Sequence, residues 1–128
     1  MKSYCDHRGE PADFRVSYRF FSPDEVGHNL PPQQHTRWDF MYFGDDMQRD
    51  GMYMIWPEFL SPDGMVLPAG EVPLAGFADM YVLFPESRPY HSERMRVGTD
   101  GYFMEGPNKV ASCSIVAILG LHDNPRSS

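Results

Sequence analysis

At 128 residues, 41% of them hydrophobic and 14% aromatic, the chain is long enough for one domain with a real core and too short for two. Twelve prolines and eleven glycines exclude long helices and favour many short strands. Eighteen acidic against eleven basic side chains leave a net charge of −7, which repels a phosphate backbone and either suits a basic partner or serves solubility alone. No apolar run reaches membrane-spanning length and Met1 to Asp6 holds no apolar targeting core, so the expected setting is soluble and cytoplasmic. Cys5, in a polar leader, and Cys113, inside an apolar run, argue against a disulfide-stapled scaffold and leave their pairing open.

In chain order, one domain over residues 1–128 is expected, with flexible ends at about residues 1–12 and 123–128. Phe14, Val16, Tyr18 and Phe20 alternate with Arg15, Ser17 and Arg19, the pattern of a strand with one wet face. Asp24 to Gln34 has no periodicity and contains Pro31-Pro32, which predicts a long loop. Trp38, Phe40 and Tyr42 share a parity over Arg37 to Phe43, predicting a strand with an aromatic core wall. Gly44 to Gly51 is an acidic connection, and extended structure resumes at Met52. Ser61-Pro62-Asp63-Gly64 is a strong turn leading to a short strand at Met65-Val66-Leu67.

Gly76 to Phe84 carries apolar residues on both parities, which implies a core on one side and cover on the other. His91 to Val97 is expected as a strand with Glu93 exposed, and Gly98 to Gly101 turns into Tyr102-Phe103-Met104. The strongest strand is Val110 to Leu121, where Ala111, Cys113 and Ile115 alternate with Ser112, Ser114 and Val116; a helix competes on length alone. Strands of this number in so short a chain satisfy their edges by curling on themselves. The expected fold is all-β, a small closed antiparallel six-stranded barrel, with a sandwich as the alternative.

Several stretches carry candidate sites. Trp56-Pro57-Glu58-Phe59 places two aromatic residues beside a carboxylate, which suits an interface anchor as well as a packed strand end. Asp45, Asp46 and Asp50 contribute acidic surface; their spacing misses the calcium-loop pattern and includes Arg49, so no metal is expected there. His7, His28, His35, His91 and His122 form no zinc motif. Cys113 reads as an inert buried thiol, and no phosphate-cradling glycine loop or nucleophile elbow is present, so no cofactor and no catalytic residue is expected. A small hydrolase using His28, His35 or His91 with a nearby carboxylate stands as the alternative.

From Gly64 to Gly120 the order of strands and turns resembles the C-terminal β-barrel of bacterial translation elongation factor Tu and small stand-alone proteins built on it. The likeness rests on Met65 to Val72, on Met80 to Phe84 followed by Pro85, and on the closing hairpin through Arg96-Val97-Gly98, Gly101 to Gly106 and Lys109-Val110-Ala111. Val16 to Ser22, Gly27 and His35 to Phe40 are similar to its earlier part. The resemblance implies the six-stranded barrel and a binding role without a catalytic centre. The family's RNA-binding role is not carried over: only Gly27 keeps the character of the glycine-rich basic loop, and the net charge has the wrong sign.

The function expected is a non-catalytic protein-interaction module, such as a small bacterial immunity or regulatory protein, meeting a partner with a basic surface. Trp56, Glu58 and Phe59 are its expected anchors and Asp45, Asp46 and Asp50 its expected acidic contribution. Self-association is open, nucleic acid is disfavoured, and an RNA-binding barrel ranks below the hydrolase.

Overall fold

The alternating run at the start of the chain becomes strand β1 (Phe14–Phe20), whose apolar parity is buried and whose other parity carries Arg15, Ser17 and Arg19. The structure, a computed structural model, describes residues 9–22 and 32–126. Five further strands follow among them: β2 (Asp39–Tyr42), β3 (Ile55–Leu60), β4 (Ala75–Val82), β5 (Asp100–Glu105) and β6 (Asn108–Ile118). A short helix α1 (Met47–Asp50) lies between β2 and β3. A 3-10 turn (Pro85–Ser87) and helix α2 (Arg88–Arg94) lie between β4 and β5. No helix among the described residues is long and apolar enough to cross a membrane.

The strands form one antiparallel sheet in the order β2-β5-β6-β1-β4-β3. Its inner face is lined by Phe14, Val16, Tyr18, Phe20, Phe40, Tyr42, Ile55, Phe59, Ala78, Met80, Phe103, Ala111, Cys113 and Ile115, all buried in one cluster. Each large side chain buried there contributes roughly 1.5–3 kcal/mol. Phe59 meets Tyr18, Trp38 and Phe103 edge to face, an arrangement ring quadrupoles favour. Gly106 at φ 55 and Pro107 close the β5–β6 hairpin; glycine takes the positive angle that the tight turn demands.

All-β architecture is as expected, but the sheet is a curled half-barrel and not a closed barrel. The two end strands meet only at an isolated bridge, where Phe40 and Tyr53 exchange backbone hydrogen bonds of 2.9 and 2.8 Å. Beyond it they cannot zip together. Met54 turns away to accept from the Leu83 N–H, β2 is only four residues long, and Pro57 offers no N–H to a ladder. Gln34 fills the gap. Its carboxamide donates to the Phe59 carbonyl at 2.9 Å and accepts from the Phe59 N–H at 2.8 Å, as a neighbouring strand would.

Three other expectations differ from the fold. His91 to Val97 is not a strand, because its first half belongs to helix α2. Pro89 lies in that helix's first turn, where its missing N–H costs nothing, and Arg88, His91, Ser92 and Met95 fall on one buried stripe. Met65-Val66-Leu67 contributes one bridge, Leu60 to Val66, and no strand. The chain ends are held further out than expected. Buried Arg88 binds Asp13 at 2.9 Å and Glu10 at 3.0 Å, and Asn124 donates to Asp13 and to the Pro11 carbonyl, each at 2.9 Å. The expected loop from Asp24 to Gln34 lies outside the described residues up to position 31.

Candidate functional site

The acidic connection after β2 builds a polar cluster with helix α2. Asp46 caps α1 by accepting from the Gln48 N–H at 2.8 Å, while Asp50 accepts from the Asp46 N–H at 2.9 Å and pairs with Arg49. Those two carboxylates lock the loop, and the third leaves it. Asp45 takes Arg94 of α2 with both oxygens, at 2.6 and 3.1 Å. The same guanidinium lies 3.8 Å from the centre of the Tyr42 ring and donates to the Tyr90 hydroxyl at 2.6 Å. Hydrogen bonds to Asp45 raise the pKa of Arg94 further, so the cation is permanent.

Tyr42 in turn reaches inward, its hydroxyl 2.6 Å from Nδ1 of His91. Burial pushes the Tyr42 phenol up, so it keeps its proton and donates to a neutral imidazole. Burial, and then the positive charge of Arg94, push His91 down to about 4, with Asp13 opposing weakly. Tyr53 closes the box edge-on, 4.6 Å from the imidazole and 5.8 Å from Tyr90 between ring centres. His91 has no solvent-exposed surface, so this imidazole is a packed, neutral link and has no route to a substrate. Around the cluster Tyr90, Met54 and Phe84 remain exposed at 46%, 39% and 55%.

The expected anchors lie elsewhere and deeper. Glu58 and Phe59 show no surface, and Trp56 is half-buried on the outer face with the Arg37 guanidinium 4.8 Å from its ring. Phe59 points into the core because it shares the parity of Ile55, opposite Ala78. Glu58 faces outward beneath His35, whose Nε2 stands 2.6 Å from its carboxylate. His35 holds φ 65, a left-handed conformation uncommon outside glycine, and so lays its ring over β3. Of the three histidines considered for a histidine–carboxylate pair, His35 has one and His91 does not; His28 lies outside the described residues.

Asp46 is exposed and Asp50 partly so, whereas the Asp45 side chain is mostly covered by Arg94; each is tied to a different donor and they do not converge on a cation. No group of three or more potential metal ligands occurs among the described residues. Cys113 is buried and its thiol is pushed up by burial, as an inert thiol should be. Arg94, Tyr90, Met54 and Phe84 were not among the anchors expected from the sequence. The signal that reveals the first two is the spacing of Arg88, His91, Ser92 and Met95, a helical stripe behind Pro85 and Pro89.

Away from this cluster, a concavity of about 420 Å³ opens on the outer face of β1, β6 and β5, lined by Ser17, Arg19, Phe43, Asp100, Tyr102, Ser112 and Ser114. Comparison of the sequence with models of known protein families and with curated proteins returns no match.

Proposed function

We propose that the chain is a non-catalytic protein-interaction module whose docking surface is Tyr90, Met54 and Phe84 beside the Asp45–Arg94 pair. One observation carries it. Arg94 is fixed at once by Asp45, by the face of Tyr42 and by the Tyr90 hydroxyl. A partner therefore meets a Tyr90 ring with little rotamer freedom left to lose, alongside exposed Met54 and Phe84, and aromatic and methionine side chains are enriched at interfaces. The acidic loop beside them and the net charge of −7 favour a basic partner. A small bacterial immunity or regulatory protein of the cytoplasm is the kind of protein this reading describes.

A photo-crosslinking residue placed at Phe84 tests this in extract. The expected product is one adduct with a basic protein, weakened by salt and abolished by Tyr90→Ala. Equal capture by the Tyr90→Ala chain, or capture of RNA alone, overturns it.

The His35–Glu58 contact favours a second function, hydrolysis with His35 as the base. Turnover of an ester or amide substrate that disappears in His35→Ala while folding is retained would establish it in place of the first.

A further inference from the structure

On the outer face of the central strands, one row across the sheet reads Phe43, Asp100, Ser114 and Ser17, and the next reads Tyr102, Ser112 and Arg19. These side chains line the concavity of about 420 Å³, a size that suits a small ligand. Its parts are fixed relative to one another. The Phe43 N–H donates to the Asp100 carbonyl at 3.0 Å, so ring and carboxylate hang from one backbone link, and the Ser114 hydroxyl donates to Oδ1 of Asp100. Phe43 is 66% exposed, and its ring centre stands 6.2 Å from that of Tyr102 with the planes tilted by 35°. Two rings thus form one wall, and the half-buried hydroxyls of Ser17, Ser112 and Ser114 form the floor.

The chemistry of this lining disfavours most ligand classes. An anion meets the Asp100 carboxylate and a chain of net charge −7. A cation meets two charges of its own sign. One is the Arg19 guanidinium, already engaged by the Phe20 carbonyl at 3.4 Å and lying 5.4 Å from the centre of the Phe21 ring; the other is the Lys109 ammonium, 4.4 Å from the centre of the Tyr102 ring. A flat apolar molecule would cover the serine hydroxyls without replacing their hydrogen bonds to water. What satisfies every part is an uncharged ring with an apolar face and hydroxyls at its edge. Its C–H groups carry the partial positive charge that the π face of Phe43 attracts, its adjacent hydroxyls donate together to one carboxylate, and each serine hydroxyl donates or accepts. We propose that this concavity is a binding site for a pyranose sugar, with Phe43 as the platform and Asp100 as the acceptor of paired hydroxyls. Affinity in the millimolar range is expected of so open a site.

Titration of the full chain with glucose, galactose, mannose and N-acetylglucosamine, followed by amide chemical shifts, tests this, with inorganic phosphate, choline and indole as probes of the disfavoured classes. At least one sugar is expected to give saturable shifts centred on Gly101, Ser112 and Ser114, and none of the other probes to do so. Phe43→Ala and Asp100→Asn are each expected to weaken that sugar roughly tenfold or more, because one removes the platform and the other turns an acceptor oxygen into a donor. Both residues are exposed, and an amide spectrum that stays dispersed shows that the variants fold. Asp63→Asn and Tyr90→Ala, off this face, are expected to leave the affinity unchanged. Shifts absent with all the sugars, shifts that survive both Phe43→Ala and Asp100→Asn, or saturable binding of phosphate, choline or indole in the same place would overturn the proposal.

Discussion

The Tyr42 hydroxyl stands 2.6 Å from Nδ1 of His91, and the burial of this imidazole predicts an acid-sensitive fold. His91 titrates near 4 in the folded chain and near 6.5 once unfolded, so between these values the unfolded chain binds more protons. This part of the stability is therefore complete above about pH 6.5 and is lost as pH falls towards 4, by roughly 3 kcal/mol in all. Urea unfolding at a series of pH values should show that slope, and His91→Phe should remove it. Tyr42→Phe should cost about 1–3 kcal/mol at neutral pH by stranding the ring nitrogen.

The Arg88–Asp13 pair has a larger effect on stability. The pair is fully buried, and Asp13 also accepts from the Val82 N–H at 2.7 Å and from Asn124. Arg88→Met leaves that carboxylate without its cation and should destabilise the chain by about 3–5 kcal/mol. The double variant Arg88→Met with Asp13→Leu should lose less than the two single losses summed, because neither charge is then stranded. Chemical denaturation of the four proteins measures the coupling. Amide exchange at Leu119 and Leu121, whose N–H groups donate to the Asp13 carbonyl, should speed up in Arg88→Met before the sheet opens.

How much of this was legible follows from what alternation encodes. β1 and β6 announce themselves because apolar and polar residues alternate along them: Phe14 to Phe20 is a strand as read, and the strand expected from Val110 to Leu121 runs from Asn108 to Ile118. Helix α2 was hidden because its buried stripe is polar. Arg88, His91 and Ser92 look like surface residues until their partners Asp13, Tyr42 and Leu121 are in place. Glu58 was misplaced for a related reason: the outer face of β3 is covered by His35, across a separation in sequence that no periodicity records, whereas Phe59 is buried because it falls on the core parity of the strand. Asp45 was recognised as an acidic surface residue. Its partner Arg94 comes from an element that the sequence was expected to form as a strand.

Gly101 is required by the ring of Phe40, not by a turn. A Cβ built there would lie 2.6 Å from two ring carbons of Phe40 and 2.9 Å from the Met41 carbonyl oxygen. Phe40 is wholly buried against Phe14 and Tyr42, so it has no room to withdraw. Gly101→Ala should therefore cost about 1–3 kcal/mol despite the higher strand propensity of alanine. Phe40→Leu in the same chain should recover part of that loss, and thermal unfolding of both variants gives the comparison.

Gln34 protects the one strand edge that the fold leaves open. Its carboxamide satisfies both backbone groups of Phe59 and donates to the Leu67 carbonyl at 3.0 Å, holding the segment after the Ser61 turn against β3. Gln34→Ala strands a buried N–H and should cost about 1–3 kcal/mol. Its second consequence is of another kind. Ile55 to Phe59 would become an apolar edge open as far as the Leu60–Val66 bridge and interrupted by Pro57, and such edges pair with other chains. The Gln34→Ala protein should form thioflavin-positive aggregates under conditions where Gly101→Ala, of similar stability, stays dispersed. Equal aggregation of the two would mean that lost stability, and not the uncovered edge, governs association.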